Sequence, residues 1–140
     1  IVGEWMPLTL FINNGGIYDK EFIEDSEGLW QSLAKADVDG DGDDDLIAGN
    51  MGKNIKFKAS SKKPFNIYCD DFDNNGTYDI VLSAYEGENH YPVRGKECSS
   101  QQMPFINEKF PTFKQFAEAK MDDIYGEKLQ EALHLQVKEL

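Results

Sequence analysis

Residues 37–45 read DVDGDGDDD and residues 71–79 read DFDNNGTYD, and these two stretches decide how the chain is interpreted. Each places an oxygen-bearing side chain at positions one, three, five and nine, with a glycine at position six. The side chains are Asp37, Asp39, Asp41 and Asp45 in the first stretch, and Asp71, Asp73, Asn75 and Asp79 in the second.

This spacing predicts a binding loop for a hard divalent cation, with calcium preferred. Calcium takes six to eight oxygen ligands at about 2.3–2.6 Å and accepts irregular geometry, whereas magnesium demands an octahedron and keeps its waters. Gly42 and Gly76 permit the left-handed turn that lets the carbonyl at position seven face the ion. We therefore expect Asp43 and Thr77 to contribute main-chain ligands, which completes two Ca²⁺ sites.

An ordinary acidic surface turn is the alternative interpretation, because Asp, Asn and Gly are common turn formers. The crowding of carboxylates in the first loop argues against it. Two such charges about 4 Å apart repel by roughly 4 kcal/mol at an effective dielectric constant near 20. A turn without a cation gains nothing from this repulsion.

The loops are not complete EF-hands. An EF-hand requires a bidentate Glu at position twelve and a helix on each side, but position twelve is Ala48 in the first loop and Leu82 in the second. The flanking runs, such as Phe65–Tyr68 and Ile80–Leu82, are rich in β-branched and aromatic residues and predict strands. The unit is therefore strand, calcium loop, strand.

Composition bounds the function further. A chain of 140 residues with a net charge of −12 suits one acidic domain and disfavours nucleic-acid binding, which needs clustered Lys and Arg. No apolar run approaches the ~18 residues of a membrane span. The chain begins at Ile1 in mid-pattern, so we expect it to be a fragment of a longer protein. Cys69 and Cys98 are either a disulfide of an exported protein or two unpaired buried side chains.

The pattern along the chain predicts a β framework followed by a helical third. Asn13–Gly16 indicates a hairpin turn. Residues 1–98 are expected to form β repeats with two calcium loops, and residues 99–140 a helical insertion or appendage ending in a possible strand. Expected helices are one capped by Ser99 or Ser100 and running to about Lys109, one capped by Thr112, and one over residues 121–133 that is interrupted near Gly126.

The two loops repeat 34 residues apart, since AKADVDGDGDDDLIA aligns with YCDDFDNNGTYDIVL. Together with LTLFINNGGIYDKEF and GLWQSLAKADVDGDGDDDLIAGNMG, they resemble the FG-GAP or VCBS repeat of integrin α-subunit propellers and exported bacterial proteins. The resemblance covers about residues 5–85. Asn75 stands where the family pattern has an acid, which predicts a weaker second site.

The resemblance implies β-propeller-like blades, with calcium stiffening each blade from the loop between two strands. Repeat units of this kind need neighbours to bury both faces. We therefore expect an incomplete propeller whose neighbouring blades come from the parent chain or from a second copy. Calcium loops of modest affinity suit compartments with millimolar calcium, so the expected location is extracellular, cell-surface or periplasmic.

The remaining motifs favour a binding or adhesion module over an enzyme. No nucleophile elbow, P-loop or dinucleotide fingerprint is present, and neither His90 nor His134 has a partner at zinc-ligand spacing. The expected role is a calcium-stabilised scaffold that contacts a protein or glycan. The alternative is that the chain belongs to a polysaccharide-degrading propeller enzyme. A calcium sensor is disfavoured because paired helices and a Met-rich groove are lacking.

Overall fold

A computed structural model describes residues 1–140 and contains nine strands and five short helices. The strands are β1 (Glu4–Met6), β2 (Thr9–Asn14), β3 (Ile17–Phe22), β4 (Gly28–Ala36), β5 (Asp45–Asn50), β6 (Phe65–Asp70), β7 (Asp79–Glu86), β8 (Asn89–Pro92) and β9 (Leu133–Val137). The helices are α1 (Lys96–Gln102), α2 (Phe105–Lys109), α3 (Phe113–Glu118), α4 (Met121–Tyr125) and α5 (Lys128–Glu131). The mainly-β prediction is confirmed.

The chain divides into two compact units, one of residues 1–64 with 136–140 and the other of residues 65–135. The predicted boundary after residue 98 falls inside α1, within the second unit. No helix of the chain is both long enough and apolar enough to cross a membrane.

The first unit contains two small antiparallel sheets. One has the strand order β1-β4-β5, and the other is the β2–β3 hairpin. The hairpin closes at the predicted Asn-Gly turn: Gly15 and Gly16 adopt φ of 67° and 95°, and the N–H of Gly16 donates to Asn13 Oδ1 at 2.8 Å. Positive φ at both central residues matches the right-handed twist of the strands, which explains why the glycines stand there.

The second unit contains β8, β7, β6 and the first three residues of β9, which form a sheet in the order β8-β7-β6-β9. Strands β6 and β7 are antiparallel and close the second acidic loop between Asp70 and Asp79. In the first unit, β4 and β5 close the first acidic loop between Ala36 and Asp45 in the same manner. Both predicted strand–loop–strand units are therefore present. Strand β4 reaches from Gly28 to the start of the first loop.

The hydrophobic core of the second unit joins the helices to the sheet and to the second loop. It contains Phe72 from the loop, Val81 from β7, and side chains of the helical segment that include Met103, Ile106, Phe116, Met121, Ile124 and Tyr125. Phe72 packs against Tyr125 with ring centroids 4.9 Å apart. The helical segment thus supplies most of the side chains of this core.

The helix boundaries correct part of the sequence prediction. The first helix begins at Lys96, so neither Ser99 nor Ser100 is its cap, and it ends before Pro104, which has no N–H to continue the ladder. Thr112 caps α3 as predicted: its hydroxyl accepts from the N–H of Gln115, whose side chain binds back to Thr112. The predicted interruption is also confirmed, since α4 ends at Tyr125 and is followed by Gly126 with φ of 59°.

Cys69 and Cys98 are both free. The disulfide alternative is therefore wrong, and the pair gives no support to an oxidising compartment. Cys69 lies in β6 and is partly buried, whereas Cys98 is exposed on α1.

Candidate metal centres

The first loop curls around the carboxylate of Asp37. Asp37 Oδ1 accepts from the N–H of Gly40 at 2.7 Å, and Asp37 Oδ2 accepts from the N–H of Gly42 at 3.1 Å. At the end of the loop, Asp45 Oδ2 accepts from the N–H of Val38 at 2.8 Å. Gly40 and Gly42 have φ of 80° and 96°, a region that other residues rarely adopt. These contacts hold position one and position nine on the same side of the loop.

The second loop repeats the hydrogen bonds from positions six and two, but the donor to Oδ1 of its first aspartate is at position five, Asn75, instead of position four, Gly40. Asp71 Oδ1 and Oδ2 accept from the N–H groups of Asn75 and Gly76 at 2.9 and 2.8 Å. Asp79 Oδ2 accepts from the N–H of Phe72 at 3.1 Å. The two repeats, which match mainly at their oxygen positions and at one glycine, therefore adopt similar loop geometries.

Position four needs a left-handed backbone in both loops, a requirement that the spacing analysis missed. Gly40 meets it in the first loop, and Asn74, with φ of 60°, meets it in the second. Asn is the side chain best able to adopt this conformation after glycine. A glycine or an asparagine at position four of each loop is the sequence feature that indicates this left-handed backbone.

The predicted ligands divide into those that converge and those that do not. Carboxylate oxygens of Asp37, Asp39 and Asp45 lie within 4.8 Å of one another, and so do those of Asp71, Asp73 and Asp79. Oxygens about 2.3–2.6 Å from a common ion are at most about 5 Å apart, so both sets fit a calcium ion.

The position-five side chains accept hydrogen bonds within their loops. Asp41 Oδ1 accepts from the N–H of Asp43 at 3.1 Å, and Asn75 Oδ1 accepts from the N–H of Thr77 at 2.8 Å. Asp41 lies outside the converging carboxylate group. The carbonyl ligands of Asp43 and Thr77 stay predictions.

Burial and charge differ between the two loops. In the first loop Asp37 and Asp39 are exposed, whereas Asp79 in the second is only 2% exposed. Burial raises the pKa of Asp79; the N–H of Phe72 opposes this effect, and the neighbouring carboxylate of Asp73 adds to it. The ionised form of Asp79 is thus disfavoured, and a divalent cation among these oxygens would reverse that balance.

A lysine from the helical segment contacts the second loop directly. Lys128 Nζ donates to the carbonyl oxygen of Asp71 at 2.6 Å and to Asn74 Oδ1 at 2.7 Å. Partial desolvation acts to raise the pKa of Asp71, but the N–H groups of Gly76 and Asn75 and the Lys128 charge outweigh it, so this pKa is lowered. In the first loop, Lys35 pairs with Asp44 at the exposed surface instead.

A polar network that was not predicted from the sequence lies outside the two loops. Asn66 Oδ1 binds His134 Nε2 at 2.8 Å, and Asn66 Nδ2 binds His90 Nε2 at 3.2 Å. Ser83 Oγ lies 2.7 Å from the same nitrogen of His90. The four residues come from four different strands, β6, β7, β8 and β9, so no local spacing reveals them.

The two histidines of this network are stacked on tyrosines. His134 stacks on Tyr68 with centroids 4.3 Å apart, and His90 stacks on Tyr85 at 4.5 Å. Burial lowers the pKa of both histidines, and the charge of Asp122 partly offsets this for His90. The network is structural, since Asn66 and Ser83 are fully enclosed at 2% and 0% exposure.

Comparison with known proteins agrees with the loop geometry. Residues 29–60 match the FG-GAP repeat family. This segment holds β4, the first acidic loop and β5, and the second loop lies outside it. Among curated proteins and solved structures there is no significant match.

Proposed function

The chain carries an FG-GAP repeat at residues 29–60, and we propose on this basis that it is a calcium-stabilised, propeller-type repeat module. The observation that carries the proposal is the convergence of three carboxylates in each of two loops, in both of which the position-six glycine donates to the first aspartate. The ions have a structural role. They bind the folded loops in preference to the unfolded chain and so raise stability.

Asp37, Asp39 and Asp45 would hold one ion, and Asp71, Asp73 and Asp79 the other. In both loops the outer ligands lie at the first and last positions, next to the strands that the loop connects. A bound ion therefore closes a hairpin, and it offsets the repulsion among the carboxylates. The rigid N–H contacts to Asp37 and Asp71 orient the ligands before the ion arrives.

The propeller arrangement is supported by unpaired apolar strand faces in the first unit. Leu33 on β4 and Leu46 and Ile47 on β5 are 47%, 60% and 47% exposed. Leu33 and Leu46 share one face of this sheet and Ile47 lies on the other, so both faces expose apolar side chains against which another structural element can pack. We propose that neighbouring blades, from the parent chain or from a second copy, cover these strands.

We further propose that the module serves binding and adhesion outside the cytosol, with a protein or glycan as its ligand, and that it is not an enzyme. FG-GAP repeats occur in extracellular and surface proteins, and calcium loops of modest affinity are filled where calcium is millimolar. The converging acids of the chain lie in the two loops, where a metal role accounts for them.

The direct test of the module is thermal unfolding with excess calcium and with chelator. We expect calcium to raise the melting temperature of the wild-type chain. An Asp37→Asn/Asp71→Asn double variant is expected to lose this rise, because it removes one charged ligand from each loop. A wild-type midpoint that is the same in calcium and in chelator would reject the structural role.

A further inference from the structure

A cavity of about 360 Å³ lies within the second unit, away from both acidic loops. Its walls come from the end of β8, the turn that precedes α1, and α3; the residues that matter are Tyr91, Arg94, Lys96, Phe113 and Phe116, with Glu86 also on the lining. The volume lies within the range of small-molecule sites and suits a ligand of one ring.

Lys96 brings a buried positive charge to this cavity. The residue is only 8% exposed, and its ammonium donates to Asn107 Oδ1 and lies 5.6 Å from the ring centroid of Phe113. No carboxylate lies within 4 Å of it, whereas other lysines pair with acids, as Lys138 does with Asp25 and Glu27. A lysine is rarely buried without an anionic partner, because desolvating the charge is costly.

Arg94 places a second cation at the same cavity, two residues before Lys96. Its side chain is exposed and donates from one terminal nitrogen to Gln102 Oε1 at 3.2 Å. No acid pairs with it, so its remaining donors can form the bidentate contact that guanidinium makes with a carboxylate. Two cations that form no ion pair at one cavity are unexpected in a chain with a net charge of −12.

The other walls define the body of the ligand. Phe113 is 68% exposed, Phe116 is buried and Tyr91 is half-buried, so aromatic surface is available beside the two cations. Such surface suits a flat or ring-shaped group. Glu86 adds one negative charge to the lining and disfavours ligands of higher charge, such as phosphate dianions.

We propose that this cavity binds a small organic carboxylate with a ring-shaped body, its anionic group held between Arg94 and Lys96 and its ring against Phe113. The inference rests on the binding role proposed above, and it does not depend on the calcium sites. Aromatic acids and sugar acids share the required chemistry, and the test distinguishes them.

The test titrates the calcium-saturated full chain with benzoate and with glucuronate, followed by amide chemical shifts and calorimetry. Benzyl alcohol and glucose serve as neutral matches. We expect at least one acid, and neither neutral compound, to shift the amides of residues 91–96 and 113–119. We expect Lys96→Met and Arg94→Gln each to weaken binding by about tenfold, the scale of a lost charge-assisted hydrogen bond.

Lys114→Met is the matched control, because Lys114 lies on α3 but is exposed and paired with Glu118. It is expected to bind like the wild type. Arg94 is exposed, so its variant keeps the test valid even if Lys96→Met unfolds. Absence of shifts with both acids, or wild-type affinity in the folded Arg94→Gln variant, would overturn the inference.

Failure here and failure of the calcium proposal are separable. A calcium-dependent rise in melting temperature without acid binding removes only the carboxylate site. If the chain binds an acid but its melting temperature does not depend on calcium, the result contradicts the metal proposal and supports carboxylate binding in the cavity.

Discussion

Lys128 and Asp71 are joined by a hydrogen bond of 2.6 Å from the lysine ammonium to the aspartate carbonyl oxygen, across 57 positions of sequence. The same ammonium reaches Asn74 Oδ1 at 2.7 Å. Lys128, the first residue of α5, therefore contacts Asp71, the first residue of the second acidic loop. The lysine that contacts the first loop, Lys35, comes from the adjoining strand. It binds the exposed side chain of Asp44.

We predict that Lys128→Met destabilises the second unit by about 1–3 kcal/mol, since two acceptors lose a charged donor. Lys35→Met is the matched control and should cost about 0.5 kcal/mol or less, as expected for an exposed ion pair. Urea unfolding in chelator, followed by NMR signals of each unit, measures both. Equal losses in the two variants would show that the Lys128 contacts contribute no more than a surface pair.

Asp79→Asn should have opposite effects with and without calcium. Burial and the nearby Asp73 raise the pKa of Asp79, so its charge at neutral pH opposes folding of the metal-free chain. The amide keeps an oxygen to accept from Phe72 and relieves this repulsion. In chelator we expect stability to rise by about 1 kcal/mol, on the scale of one relieved charge contact. In calcium the gain from metal binding should fall.

Asp45→Asn is the control for this change at the same position of the first loop. Asp45 is less buried than Asp79, so its removal should stabilise the chelated chain less. Differential scanning calorimetry of the wild type and the two variants, in calcium and in chelator, provides the six midpoints. A loss of stability in chelator on Asp79→Asn would contradict the predicted repulsion.

The His90–Asn66–His134 network predicts a pH dependence of stability. Burial lowers the pKa of both histidines below that of the unfolded chain, so the unfolded state binds protons first. The stabilisation is fully present above about pH 6.5 and is lost as the pH falls below that value. Solvent screens both rings in part and His134 is exposed, so we expect His90 to carry more of the slope and the slope to stay well below the ~1.4 kcal/mol per pH unit of one full proton.

The measurement is the free energy of unfolding between about pH 7.5 and pH 5, where the usual carboxylates remain ionised. Compared with the wild type, a His90→Gln/His134→Gln variant should show a shallower slope, although its stability at pH 7.5 is lower. Tyr68, Tyr85 and Asp122 also face the network and stay unchanged in this comparison. Identical slopes would mean that the histidines do not carry the effect.

Ile106→Ala tests whether the helical segment is an integral part of the second unit. Ile106 has no exposed surface and lies in the core with Phe72 and Val81. We expect a loss of about 2–5 kcal/mol, as for other large-to-small core substitutions. Leu133→Ala, at a side chain that is 64% exposed, should cost much less. Similar small losses of stability in both variants would show that the helical segment is not an integral part of the second unit.

Structural features that depend on residues close together in the sequence were predicted correctly. Oxygen spacing located both loops, and β-branched flanks located strands on each side, because both signals are local. The Asn-Gly turn and the Thr112 cap were predicted for the same reason.

Features that depend on distant residues could not be predicted in this way. The network through Asn66 joins four strands, and Lys128 reaches Asp71 from another element. The start of α1 was placed too late because Gly95 at its N-terminus forms no side-chain cap that the sequence would reveal. Lys96 appears in the sequence as an ordinary surface lysine, and only the packing of Phe113 and Asn107 shows that it is buried.

The central claim is that each loop holds its three converging carboxylates together around a calcium ion. Calorimetric titration of the chelator-stripped chain with calcium tests this most directly. The account predicts heat from two sites, with one site lost in Asp37→Asn and the other in Asp71→Asn. No calcium-dependent heat in the folded wild-type chain, at calcium concentrations up to several millimolar, would contradict it.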